Sequence, residues 1–400
     1  MTANASSAQS NTNQATAKTA APKIAIIGGG LTGLFTAALL EKQWAERESG
    51  QIKDQSKMPQ ITIFEKSRSV GRLATRYRSA ASEDKQWQWA FGAQFFTAKT
   101  EDFANFIQPW LANGLLQPWL ARVVDLMPAD SSGQTPDLNF KEQWDTNHAR
   151  YISTPKMTSW GRALADNLQC TTINFKTRVA PLAQYAQLTA NKPTELFDDS
   201  GVSLGAFDWV VCTTPNGQAL DLMADSGFSQ QNKILQPTML ACYTLMLGWN
   251  DVANLPKTLS SKVGSSWDVA YLYNSPLAKI FIEHQKPSRD ELLPSVTIHA
   301  SNEWSEQRVD DDIKTIQTQL LAAAKQALNW YEDTAPSQID CHRWRYAATV
   351  IDKNDEPLGI LVDEQYQWIV SGDWCGQGNI ESCYQMAAKT VEAIMVTTND

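Results

Sequence analysis

The chain has 400 residues, more than one ordinary core organises, which predicts two or three domains. Its 43% hydrophobic and 19% charged residues are the proportions of a water-soluble globular protein. A net charge of −9 argues against a nucleic-acid partner gripped through phosphates, and no apolar run is long enough to span a bilayer.

Residues 1–21 are almost entirely Ala, Ser, Thr, Asn and Gln and read as a disordered tail. They lack the apolar centre of a secretory leader. Lys23-Ile24-Ala25-Ile26-Ile27 then reads as a buried strand, and residues 31–45 as a helix. Between them lies Gly28-Gly29-Gly30-Leu31-Thr32-Gly33. Gly28 permits a tight turn, Gly30 leaves room for a pyrophosphate, and Gly33 lets helix and strand pack closely. The N–H groups at the helix start would face the phosphates. A glycine pattern alone is weak; between strand and helix it predicts dinucleotide binding.

Residues 46–60 form a polar insertion, and Ile61-Thr62-Ile63-Phe64-Glu65 is a second strand ending in an acid. Glu65 is placed to accept the hydroxyls of an adenosine ribose, later than usual because of the insertion. Lys66 and Ser67-Arg68-Ser69-Val70-Gly71-Arg72 follow. The Arg72 guanidinium is suited to clamp a pyrophosphate from the side opposite the helix; a solvated basic loop is the plain alternative.

An aromatic segment, residues 87–97, reads either as a hairpin core or as a wall for a flat ring, with Gly92-Ala93-Gln94 allowing close approach. Residues 101–111 have helical spacing, 126–139 read as a loop, 158–168 as an amphipathic helix and 173–179 as a strand. A hairpin excursion is expected over 184–201, and a buried strand over 207–215. Alternation over 240–249, 279–283 and 295–300 predicts a second sheet away from the nucleotide fold. Asp310-Asp311-Asp312 before a long helix is ordinary dipole chemistry. Near the end, Trp368-Ile369-Val370-Ser371-Gly372-Asp373 repeats the strand-to-glycine pattern, and a helix runs to about residue 396.

The six cysteines, at 170, 212, 242, 341, 375 and 383, form no C-x-x-C pair and read as free thiols in a cytoplasmic protein. The four histidines show no metal-ligand spacing, so no metal is expected. Most of the fifteen tryptophans must be core, and some are available to wall an aromatic cofactor.

With both terminal glycine signatures in view, residues 23–396 resemble the renalase family of flavin-dependent oxidoreductases, within the wider amine-oxidase group. The resemblance rests on the Gly28–Gly33 turn, residues 65–75, Gly92-Ala93-Gln94-Phe95-Phe96-Thr97, residues 299–305, residues 342–347 and Gly372-Asp373-Trp374. One departure is Ser69-Val70 where the family usually carries a glycine before the Gly-Arg pair. The resemblance implies an α/β fold of glutathione-reductase-like type binding FAD without a covalent link, plus an α+β substrate domain. The expected division is 22–98, 152–226 and 341–400 for FAD, and 99–151 and 227–340 for substrate.

By resemblance, Glu65 meets the ribose, Arg72 the pyrophosphate, Val179 the adenine, Asp373 the ribityl chain, and the Asn379-Ile380 turn the flavin pyrimidine edge. The expected cofactor set is Gly28, Gly30, Leu31, Thr32, Gly33, Glu65, Lys66, Arg72, Gln94, Val179, Gly372, Asp373, Asn379 and Ile380. Phe95, Asn274, His299 and Trp344 match positions lining the substrate face, with core packing as the plain alternative for each. The implied reaction is hydride transfer from a small reduced donor, of dihydronicotinamide type, to flavin N5, with O2 as acceptor and H2O2 as product. A primary-amine oxidase on the same fold, and a non-catalytic flavin-bound scaffold, are the competing readings. A monomer or weak homodimer acting on a small molecule is expected.

Overall fold

The computed structural model describes residues 21–47, 58–69, 71–80, 85–128, 136–260, 266–352 and 356–397. Residues 1–20 of the expected tail, most of the polar insertion, Val70 and the middle of the 126–139 loop lie outside the described residues.

Ile24, Ala25, Ile26 and Ile27 are all buried, so this strand has no solvent-facing side and sits inside a sheet. Lys23–Ile27 is hydrogen-bonded in parallel to Gln60–Glu65 and to Trp209–Cys212. The full order is Leu361–Asp363, Trp368–Val370, Trp209–Cys212, Lys23–Ile27, Gln60–Glu65, Thr171–Phe175. Only the first of these runs antiparallel. Both faces are covered, as a parallel sheet requires. Helices Leu31–Arg47 and Ile380–Thr397 cover one face through Phe35, Leu39, Val391 and Ile394, joined by Phe103 and Trp160. Phe207, Met223, Trp368 and Trp374 cover the other.

The second sheet has seven strands, in the order Gln338–Thr349, Met239–Gly248, Ser295–Ala300, Leu277–Ile282, Val269–Tyr271, Arg122–Met127, Asp137–Gln143. Its neighbours are antiparallel except Val269–Tyr271 with Arg122–Met127. Alternate side chains point to opposite faces. Tyr243, Leu245 and Leu247 join a core with Ile316, Leu320, Ala324 and Ala327 of helix Ile313–Leu328. Asp312 caps that helix, accepting the Lys314 and Thr315 N–H groups at 3.0 Å each. This fits a capping role for the acidic run. Asn329, left-handed at φ 51°, ends the helix.

Several local readings change. The expected loop at 126–139 is flanked by paired strands, Arg122–Met127 and Asp137–Gln143. The strand expected over 173–179 stops at Phe175, because Lys176 turns left-handed. Residues 338–349 form a twelve-residue strand of the second sheet, crossing residue 341. The aromatic segment takes the hairpin reading, Thr75–Ser79 with Gln86–Ala90. Trp87 and Trp89 donate their indole N–H groups to the Trp249 and Leu247 carbonyls at 2.9 and 3.0 Å, stitching the hairpin to the second sheet. Twelve of the fifteen tryptophans are buried, so packing accounts for most of that count.

Candidate active site

A cavity of about 1100 Å³ runs between the two sheets. Its far end is built by the glycine turn. A Cβ on Gly33 would enter the Gly28 carbonyl oxygen, so only glycine lets helix and strand meet there. A Cβ on Gly30 would meet nothing within 4 Å, and Gly30, with Gly28, Leu31 and Thr32, lines the cavity. Glu65, 8% exposed, accepts the Gly29 N–H at 2.8 Å and the Ser67 N–H at 2.7 Å. Each carboxylate oxygen keeps acceptor capacity for a diol. Lys66 reaches across to Gln218 at 2.8 Å, and Val179 lines the cavity from an isolated bridge with Asp198.

Midway, Arg72 forms a salt bridge with Asp373 and donates to the Tyr346 and Ala347 carbonyls at 3.3 and 3.4 Å. Burial opposes the guanidinium charge, but the Asp373 carboxylate outweighs it and the Arg72 pKa is raised. Asn379 and Ile380, at the start of the C-terminal helix, line the wall beside this pair. The Asn379 side chain accepts the Ser382 N–H at 2.9 Å.

The near end is the open face of the seven-stranded sheet. Register places Lys279 opposite His299, His299 opposite Thr244, and Thr244 opposite His342, a row across four strands. Trp344, opposite Cys242, stacks on Phe91 at 5.4 Å and donates its indole N–H to the Phe91 carbonyl at 2.8 Å. It is the one tryptophan in the described lining. Phe95 lines the same end, edge-on to Trp144 at 4.7 Å.

Burial, with Lys279 and Lys286 nearby, pushes the His299 pKa down to about 3. Burial, Arg76 and Arg343 push His342 to about 4. Both rings are neutral at pH 7. The unfolded chain, with ordinary imidazoles near 6.5, binds protons that these folded rings refuse. Stability contributed here is therefore present above about pH 6.5 and lost as pH falls toward 4. Melting temperature is expected to fall over that window, with a shallower slope in His342→Asn; an identical slope would refute the assignment.

Four expected residues lie elsewhere. Gly33 packs beneath the turn, and Gly372 lies behind Asp373, outside the lining. Asn274 is exposed in the hairpin turn after Tyr271, left-handed at φ 53°, a conformation asparagine tolerates, and it does not reach the cavity. Gln94 is buried behind His299. Gly92 lines the cavity, but the close approach it permits is to backbone: an added Cβ would enter the Arg72 carbonyl oxygen.

Lys279 and His342 line the cavity although neither is among the expected site residues. Lys279 is a lone charge inside Leu277-Ala278-Lys279-Ile280-Phe281-Ile282, a signal that was available. Burial lowers its pKa, its amino group lies 5.2 Å from the Tyr271 ring, and it has no carboxylate partner among the described residues. The cavity cysteines are not reactive thiolates: burial raises Cys242 and Cys383 to about 12. Cys375 is fully buried and outside the lining. No group of metal-binding side chains occurs among the described residues.

A dinucleotide with an extended aromatic head suits this cavity: a turn that admits phosphates, a strand-end carboxylate, a central guanidinium and a tryptophan-walled end lie in sequence along it. No family model matches the chain. It is 21% identical to mouse renalase over 384 residues, spanning 93% of this chain and 98% of the relative. Its fold is similar to that of a candidate protoporphyrinogen oxidase from Exiguobacterium sp. 255-15, at TM-score 0.66 and 13% identity, covering 94% and 99% of the two chains. It is also similar to putrescine oxidase with putrescine bound, at TM-score 0.62 and 11% identity, with the same coverage. Cyclohexylamine oxidase from Brevibacterium oxydans IH-35A follows at TM-score 0.60 and 10% identity, covering 94% and 100%.

The class is that of FAD-dependent oxidoreductases, on a mixed α/β fold with a parallel sheet shared with the flavin amine oxidases. Within it, the chain is renalase-like. No helix among the described residues is long and apolar enough to cross a membrane.

Proposed function

We propose that the protein is an oxidase of small reduced donors of dihydronicotinamide type, carrying non-covalent FAD on a glutathione-reductase-like fold. The observation that carries the choice of donor is the charge at the near end. On the row that faces the cavity the second sheet presents, among the described residues, one charged residue, Lys279, and no acid; Arg343 and Arg345 border the lining from the other face, bonded to the Val309 carbonyl and to Asp310. The lining acids, Glu65, Asp221, Asp373 and Glu381, all lie on elements of the parallel-sheet side. A dinucleotide donor brings anionic phosphates toward the unpaired Lys279 ammonium, whereas a protonated amine is repelled by it.

FAD, when bound, supplies a two-electron acceptor of hydride that dioxygen restores. Glu65 accepts hydrogen bonds from the adenosine ribose, and Arg72 and the glycine turn hold the pyrophosphate. The start of helix Ile380–Thr397 presents partial positive charge at the wall beside them. Trp344, backed by Phe91, forms one side of a flat slot, and Phe95 lines it further on. Neutral His299 and His342 add no charge of their own. In this reading the two sheets divide the work, cofactor on the six-stranded side and donor on the seven-stranded side. O2 is the proposed acceptor, and a cytoplasmic monomer or weak dimer the proposed form.

Oxidation of a primary amine is the competing reading, supported by the two amine-oxidising neighbours. The test is anaerobic titration of the yellow protein with dihydronicotinamide isomers and with primary amines, followed by air. Bleaching by the first and not the second is expected. Lys279→Glu is expected to weaken donor binding roughly tenfold or more. Bleaching by amines alone, or unchanged donor affinity in the variant, would overturn the reading.

A further inference from the structure

Behind the near wall lies a charged cluster sealed from solvent. Glu283, Lys286 and Arg289 follow the strand Leu277–Ile282, and their side chains are at most 1% exposed. Glu283 accepts from Lys286 at 2.9 Å, from the Thr297 hydroxyl at 2.6 Å and from Arg289. Two cations share one carboxylate, and burying an excess charge is costly unless its donors are satisfied. Lys286 directs a further N–H at Gln94 Oε1, 2.7 Å away. Its ammonium also lies 5.2 Å from the Trp119 ring.

That contact decides which way the Gln94 amide faces. An ammonium has donors only, so the atom it meets must be the amide oxygen. The amide nitrogen then donates to the Ala90 carbonyl and faces His299 Nε2 at 3.3 Å, with the Gly92 carbonyl also 3.3 Å away. The reversed amide would set oxygen against the Ala90 carbonyl and N–H against the ammonium, so it is doubly disfavoured. With the second amide hydrogen directed at the ring rather than at Gly92, His299 Nε2 is the acceptor. The ring proton of the neutral imidazole is then on Nδ1, which has no hydrogen-bond partner among the described residues.

We propose that Lys286 is a positioning residue: through Gln94 it holds His299 as the Nδ1–H tautomer, so the imidazole offers the cavity a hydrogen-bond donor and no base. The groups facing His299 are consistent with this. Lys279 stands opposite on the adjacent strand, Thr244 on the other side, the Phe281 ring lies edge-on at 5.2 Å, and Lys286 and Glu283 lie behind. The basic neighbours and burial together keep the ring neutral across the physiological range. A wall that donates suits a ligand with a carbonyl-type acceptor, and it removes His299 as a proton acceptor from any donor. The inference concerns the wall itself and stands whichever donor proves correct.

The test is nitrogen-15 NMR of the flavin-loaded protein with labelled histidine, the His299 signals being identified by their loss in His299→Asn. Long-range proton–nitrogen correlations distinguish the two tautomers. The expected wild-type result is a neutral ring protonated on Nδ1 and not titrating between about pH 6 and 8. Lys286→Met is expected to release the amide and bring in the Nε2–H form; Lys286→Arg is expected to retain Nδ1–H. If Lys286→Met does not fold, Gln94→Met removes the same link while leaving Lys286 paired to Glu283, and is expected to bring in the Nε2–H form as well. An Nε2–H or doubly protonated ring in the wild type would overturn the proposal. So would a folded link-breaking variant whose ring stays wholly Nδ1–H.

Discussion

Arg72→Ala is expected to purify colourless. The guanidinium contributes fork-shaped, charge-assisted hydrogen bonds that no neighbour replaces, and losing two of them removes roughly 3–4 kcal/mol of cofactor binding. That is a loss of more than about a hundredfold in affinity. A second cost falls on the fold. The Asp373 side chain is 8% exposed and would be left without its partner, a penalty of roughly 3 kcal/mol. Combining Arg72→Ala with Asp373→Asn separates the two effects: the melting temperature should recover, and the yellow colour should not. Arg72→Lys keeps the charge but loses the fork, so it should fall between. A full flavin complement in Arg72→Ala would remove the clamp from the account.

Gly92→Ala should do comparable damage through a residue that carries no functional group. The added methyl meets the backbone carbonyl of Arg72, and backbone cannot swing aside as a side-chain tip does. The same carbonyl already accepts the Ala93 N–H at 3.0 Å, and the Phe91 N–H bonds Ala74 at 3.1 Å, so the two segments are tied together. Moving them apart breaks those bonds and carries Arg72 away from Asp373. A destabilisation of about 2 kcal/mol is expected, with reduced flavin content. Thermal melting and the ratio of flavin to protein absorbance measure both; wild-type values for each would show that the contact is not tight.

The far end of the cavity was legible because its signals are local. A strand, a glycine turn and a helix follow one another from Lys23 onward, and the carboxylate closes the next strand at Glu65. The near end is assembled by strand register, which no single segment records. Lys279, His299, Thr244 and His342 form a row only once four strands are paired. The strand Gln338–Thr349 was hidden for a related reason: its residues are half-buried or exposed throughout, so it has no clean apolar alternation. Asn274 illustrates the opposite error, a residue type suited to a site but used by the chain for a left-handed turn. Gln94 is expected in the cofactor set but lies outside the cavity lining, and its partner Lys286 is 192 residues onward. Only the folded chain places it behind His299.

The pairing of Arg72 with Asp373 spans 301 residues, and the strand Trp368–Val370 lies one strand away from Lys23–Ile27. During synthesis the glycine turn therefore leaves the ribosome long before the groups that close over it. On the proposed placement of the cofactor, its capture is expected late in the life of the nascent polypeptide, once the last helix docks.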